Sequence, residues 1–180
     1  ILEQTDKLDF LIQSLVKLSR MESGIIAVHS EDTTIKQMLE SIQQQFNVKV
    51  REKNITLSLC DTDLHIRCDS KWTVEALGNI VDNAIKYTAC GGNVQIKVEQ
   101  YSFFVKIDII DDGIGIEKEE IPKIFGRFYR SLSVADQPGV GIGLFLAREI
   151  IQAQKGYIKV TSKRGKGSTF SVFLPIAKKE

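Results

Sequence analysis

The run Glu75–Thr88, which reads Glu-Ala-Leu-Gly-Asn-Ile-Val-Asp-Asn-Ala-Ile-Lys-Tyr-Thr, limits the possible folds more than any other stretch of the chain. At about 100° per residue, Leu77, Ile80, Val81, Ala84 and Ile85 cover one side of a helix, while Glu75, Asn79, Asn83 and Lys86 fall within roughly 80° of one another on the other. The first side requires a core to pack on. The second side is unusual for solvent, where Lys, Glu and Gln predominate, because Asn is a poor helix former whose side chain competes with the backbone. Two asparagines in mid-helix cost stability, and a polar ligand would account for them.

Around this helix the chain alternates helical and strand patterns. Leu8, Leu11, Leu15 and Leu18 form an apolar stripe that predicts a helix to about residue 22, stopped by Gly24. A short helix with such a stripe needs a partner. Ile35, Met38, Leu39, Ile42 and Phe46 predict a second helix over 34–52. A strand is expected at 55–59, with a short strand near 64–68 to pair with it. Ser70 is the expected cap of the Asn-bearing helix. Residues 94–99 and 103–110 read as a hairpin, 117–125 as a short helix interrupted by Pro122, and 130–139 as a loop. Gly141–Ala153 reads as an apolar helix, and 157–162 with 168–174 as a second hairpin. The order predicts an α+β fold, helices on one face of a mostly antiparallel sheet, preceded by a helical N-terminal extension.

Bulk composition excludes several classes. The chain has 180 residues, 43% hydrophobic and 26% charged, with a net charge of +1, so no global field favours nucleic acid or an anionic membrane. No apolar run approaches the roughly 20 residues that span a bilayer. Cys60, Cys68 and Cys90 lack metal-type spacing and read as reduced thiols of a cytosolic protein. His29 and His65 fall in no metal or catalytic pattern. The chain opens at Ile1 inside a helical pattern, as a piece of a longer protein would.

Three segments carry chemistry. Asp111-Asp-Gly-Ile-Gly-Ile116 follows an apolar strand; its glycines permit close approach of backbone to a flat ligand, and its leading carboxylate can accept from an exocyclic amine. The same tetrad also suits a plain turn. A calcium loop is excluded by Ile110 at its third position and by strand flanks. Gly139-Val-Gly-Ile-Gly-Leu144 enters a helix directly, which suits either a phosphate cradle or a hinge. It lacks the third glycine of a dinucleotide fingerprint, and no P-loop occurs. Phe125-Gly-Arg-Phe-Tyr-Arg130 sets two guanidiniums among aromatics; guanidinium suits phosphate, or lies along an exposed helix end.

Taken in order, these elements resemble the ATP-binding catalytic domain of bacterial sensor histidine kinases, within the gyrase, chaperone and histidine-kinase ATPase superfamily. Asn79-x-x-x-Asn83-x-x-Lys86-Tyr87 resembles the N box, and Asp111-x-Gly113-x-Gly115 the first glycine box. Residues 125–130 resemble the F box, Gly139-x-Gly141-x-Gly143-Leu144 the second glycine box, and Gly165-x-Gly167-x-Thr169 the last. Each is permissive alone; five in order are specific. The resemblance covers residues 32–180 as the catalytic domain. Residues 1–24 resemble the end of the second helix of a dimerisation and phosphoacceptor domain, with 25–31 as linker.

The resemblance implies a two-layer, Bergerat-type sandwich holding ATP between helices and sheet under a lid at about 126–138. It implies ATP and Mg²⁺ as cofactors, with Asn83 a direct metal ligand and Asn79 acting through water. Lys86 would meet phosphate, Tyr87 the adenine surroundings, and Asp111 the adenine amino group. Gly113, Gly115, Ile116, Gly139, Val140, Gly141, Ile142, Gly143 and Leu144 would line the nucleotide. Arg130, with Arg127, would reach the terminal phosphates, and Thr169 the base region. The implied catalytic set is Lys86 and Arg130, with Glu75 a candidate base.

Implied partners are a phosphoacceptor domain of the same protein, a response regulator and a second copy of the full-length protein. No nucleic acid and no membrane contact by this piece are expected; it would be cytoplasmic, its parent anchored in the membrane. Val140 stands where relatives carry Thr or Ser, and the motif around a phosphoacceptor histidine is absent from these residues. ATPases of this fold carry Glu where Asn79 stands, and an amide cannot accept a proton from water, so the resemblance favours transfer to a histidine. A nucleotide-sensing module without transfer, and a free ATPase, are the alternatives.

Overall fold

A computed structural model of the chain describes residues 28–131, 134 and 139–176, with helical positions 12, 13, 15, 16 and 19. Most of the expected N-terminal helix, and residues 132, 133 and 135–138 of the expected lid, lie outside the described residues. The elements run β1 (Glu31–Thr34), α1 (Ile35–Glu52), β2 (Thr56–Leu59), β3 (His65–Cys68), α2 (Ser70–Tyr87), β4 (Asn93–Gln100), β5 (Phe104–Asp111), α3 (Gly143–Ala153), β6 (Tyr157–Ser162) and β7 (Ser168–Pro175).

Five strands form one sheet in the order β2-β4-β5-β7-β6. Among the described strands only β2 and β4 pair in parallel, as a connection through a helix permits. The inward positions Val94, Ile96, Val105, Ile107, Ile109, Phe170, Val172 and Leu174 are all buried. Outward neighbours such as Gln95, Lys97 and Lys106 keep one sheet face open to water. The helices cover the inner face, with α2 packed between α1 and α3. The apolar side of α2 lies wholly in this core: Leu77, Ile80, Val81, Ala84 and Ile85 are each 3% exposed or less. At about 1.5–3 kcal/mol for each large side chain buried, that face supplies much of what holds α2 in place.

Three local expectations are corrected. The 65–68 strand does not pair with its neighbour at 56–59; it pairs antiparallel with β1, Glu31 opposite Cys68 and Thr34 opposite His65. The cap of α2 is Asp69, one residue before Ser70, whose Oδ1 accepts the Trp72 amide at 3.0 Å. Residues 117–125 form successive turns rather than a helix: Glu120 and Lys123 donate to carbonyls three residues back, at 2.9 and 2.8 Å. Pro122 removes an amide that a regular helix needs. Among the described residues no helix is long and apolar enough to cross a membrane.

Candidate active site

A cleft opens between α2, the turn after β5, the start of β7 and the segment that leads into α3. The polar side of α2 forms one wall, with Asn79, Asn83, Lys86 and Tyr87 in the lining. Asn79 is half-buried, and its Nδ2 donates to the Glu75 carbonyl at 3.1 Å. This back-bond engages one of the two amide N–H groups and leaves Oδ1 toward α3; a Cβ on Gly143 would sit 3.2 Å from it. Lys86 Nζ lies 4.8 Å from the Tyr87 ring centroid and abuts Gly139, where a Cβ would approach it to 2.8 Å. Burial, and then the nearby Arg130 guanidinium, pull the Lys86 ammonium below the usual lysine range. Burial raises the Tyr87 phenol.

The sheet contributes the opposite wall. Asp111, at the end of β5, is 7% exposed. Burial pushes its carboxyl above the usual range, opposed by backbone N–H groups of Gly113 and Ser168, the Gly113 bond being 2.9 Å. The next residue is its opposite: Asp112 is exposed, and the backbone and side-chain N–H groups of Asn93, each at 2.8 Å, hold it below the usual carboxylate range. The turn is sewn to α2, because Ile114 N–H donates to the Tyr87 carbonyl at 3.2 Å. Gly113 permits this, since a Cβ there would come 2.6 Å from that oxygen.

The third wall is the glycine run. Gly139, Val140, Gly141, Ile142, Gly143 and Leu144 all line the cleft. Gly141 has φ +78°, and a Cβ there would meet the Tyr129 carbonyl at 2.6 Å, so both conformation and space call for glycine. Among the described residues no side chain caps the start of α3, which suits its first-turn amides to an anion. Arg130 lines the cleft and donates to the Val134 carbonyl at 3.1 Å.

Gly115 and Ile116 also line the cleft, whereas Glu75, Gly113, Arg127 and Thr169 do not. Arg127 instead lies over the Phe145 ring, 4.8 Å from its centroid. Ser168 and Phe170 take the place expected for Thr169: on a strand, alternate residues face opposite ways, and the buried Phe170 shares its face with Ser168. That alternation was the available signal. Ile114 and Tyr129, inside the first glycine motif and the Phe125–Arg130 motif but not singled out there, also line the cleft, as do Glu120, Ile124 and Arg164, which no motif marked. Among the described residues no group of three or more His, Cys, Asp or Glu could hold a metal. A divalent cation here would rely on the hard amide oxygens of Asn79 and Asn83, with phosphate and water supplying the rest, and that donor set fits Mg²⁺.

The sequence pattern of the histidine kinase-, DNA gyrase B- and HSP90-like ATPases matches residues 68–178. The chain belongs to this ATPase family. Within the family it is similar to sensor histidine kinases. It is 33% identical over 177 residues to the sensor histidine kinase WalK of Bacillus subtilis, covering 96% of this chain and 29% of that protein. It is 29% identical over 171 residues to the sensor protein kinase PmrB of Pseudomonas aeruginosa, covering 94% of this chain and 36% of the relative. The chain thus spans about a third of these relatives. Among solved structures, the Acinetobacter baumannii histidine kinase AdeS superposes with a TM-score of 0.82 at 25% identity, over 98% of this chain and 82% of that one. The catalytic domain of the histidine kinase ThkA superposes with a TM-score of 0.72, also at 25% identity, over 82% and 95%. The α+β architecture is the family's ATPase fold, and membership of the family implies an ATP-binding domain.

Proposed function

We propose that this chain binds Mg·ATP in the cleft and passes the γ-phosphoryl group to a histidine of a phosphoacceptor domain, for relay to a response regulator. The observation that carries this reading is the opposition of the two walls. A buried carboxylate, Asp111, faces the cleft from the sheet, while Lys86, Arg130 and the uncapped start of α3 face it with positive potential. A ligand with a hydrogen-bond donor at one end and several negative charges at the other satisfies both.

In this reading Asp111 accepts the adenine amino group, and Tyr87, Ile116 and Phe170 enclose the base. Lys86 and Arg130 hold phosphate oxygens, with the amides of Gly141 and Gly143 beside them. Asn83 is a direct ligand of the cation, and Asn79 reaches it through water, its Oδ1 freed for that by the back-bond to Glu75. Mg²⁺, when bound, neutralises charge on the transferring phosphoryl group, whose transfer depends on positioning and electrostatics more than on covalent help. Glu75 and Arg127 stand outside the lining, and no catalytic part is assigned to them. Position 79 carries an amide, which cannot take a proton from water as a carboxylate there would, and this favours transfer over hydrolysis. AMPPNP in full-length ShkA and the response regulator TrrA on ThkA belong to proteins of the same fold, and they fit this reading.

The test is transfer from γ-labelled ATP to a phosphoacceptor domain supplied in trans. Label on its histidine, dependent on Mg²⁺ and lost in Asn83→Ala, is expected. ATP bound but never transferred, even when a phosphoacceptor domain is joined to the chain, would overturn the kinase reading in favour of a nucleotide sensor.

A further inference from the structure

We propose that Lys53 is a positioning residue for the cleft: its ammonium locks the C-terminal end of α2 and so sets where Lys86 and Tyr87 enter the site. The proposal deepens the nucleotide-binding reading and rests on it for its functional half.

A helix leaves its last four carbonyls without internal partners. In α2 these belong to Ala84, Ile85, Lys86 and Tyr87. The usual remedy, a left-handed glycine just past the end, is absent, because Thr88 continues extended at φ −81° and ψ 138°. The carbonyls are satisfied from outside instead. Ala84 accepts from the Thr88 amide at 3.1 Å, and Tyr87 from the Ile114 amide at 3.2 Å. Lys53 Nζ supplies the other two, donating to the Ile85 carbonyl at 2.8 Å and to that of Lys86 at 2.9 Å. It also donates to the Thr88 carbonyl at 2.7 Å.

An ammonium has three protons, and all three are committed to one helix end. The charge also complements the negative end of the helix dipole. Lys53 is itself held at a fixed point. It caps α1 through amide contacts to the Lys49 and Arg51 carbonyls, and its own carbonyl accepts the Gly91 amide at 3.0 Å. One side chain therefore joins the end of α1 to the end of α2 on either side of Tyr87, holding the carbonyl of the cleft residue Lys86 together with those of Ile85 and Thr88. Its side chain takes no part in the cleft lining.

The test compares the 180-residue chain with Lys53→Met and Lys53→Arg. In the nucleotide-free chain, Lys53→Met should speed hydrogen exchange of the Ile114 amide by about tenfold, the scale of a lost charge-assisted bond, and Lys53→Arg should restore most of the protection. Mg·ATP affinity, measured well below the melting temperature, should fall by about tenfold in Lys53→Met and largely recover in Lys53→Arg. Unchanged Ile114 exchange in folded Lys53→Met overturns the proposal. A lower melting temperature with unchanged Mg·ATP affinity also overturns it, because that marks structural support alone. Should Lys53→Met fail to fold, Lys53→Gln is judged by the same two criteria. If the parent chain does not bind Mg·ATP, the functional reading falls, while Ile114 exchange still decides whether Lys53 sets this helix end.

Discussion

The two walls of the cleft are built on different physics. The sheet wall is dry: Asp111 and Ser168 are buried beside Phe170, and backbone amides tie the carboxylate in place. The α2 wall is half-wet, with Asn79, Asn83 and Lys86 only partly covered, and Arg130 lies near Lys86. A buried acceptor with spare capacity is costly until a donor meets it, so the sheet wall can discriminate among ligands by hydrogen bonding. Partly exposed cations attract many anions and are screened by salt, so the α2 wall can add affinity without much selectivity. In the proposed function, specificity for the base and grip on the phosphates thus fall to opposite walls.

The sharpest way to break this comparison is at Asp111. Asp111→Asn is expected to weaken ATP and adenosine alike by about tenfold or more, because the Gly113 and Ser168 amides would claim the one amide oxygen and leave an NH2 facing the adenine amine where a carboxylate accepts. Unchanged dissociation constants for both ligands, measured by calorimetric titration, would refute the base assignment. Lys86→Met should weaken ATP by several-fold to about tenfold, leave adenosine nearly unaffected, and flatten the salt dependence of ATP binding. Equal losses for the two ligands would erase the distinction between the walls. The smallest effect is expected at Asp112→Asn: the side chain is exposed and engaged with Asn93, so ATP affinity should stay within about twofold of the parent. A loss matching that of Asp111→Asn would mean that burial does not set the roles of these two aspartates.

Much of this arrangement was legible in the sequence, and the failures have physical causes. The α2 helix was readable because its two faces differ so strongly, and the apolar residues named from periodicity in α1 and α2 are buried, whereas Leu15 of the N-terminal stripe is exposed. The glycine run and Asp111 carried recognisable motifs. Strand β1 did not, because Glu-Asp-Thr-Thr has no apolar alternation and its partner, β3, lies more than thirty residues on. Pairing β3 with its neighbour in sequence followed proximity along the chain, whereas β2 pairs in parallel with β4 and β3 with β1. Thr169 was placed at the cleft by motif, but the pleat of β7 turns Ser168 and Phe170 inward instead. Lys53 had no signal, since a lysine near the end of a helix reads as surface until its three acceptors are seen together.

The central claim, that the cleft is a Mg·ATP site, is tested most directly by titrating ATP into the chain with and without Mg²⁺, for the parent and for Asn83→Ala. The account predicts that magnesium tightens ATP binding to the parent and that Asn83→Ala loses most of that gain while still folding. Magnesium-dependent binding that survives intact in Asn83→Ala would contradict it.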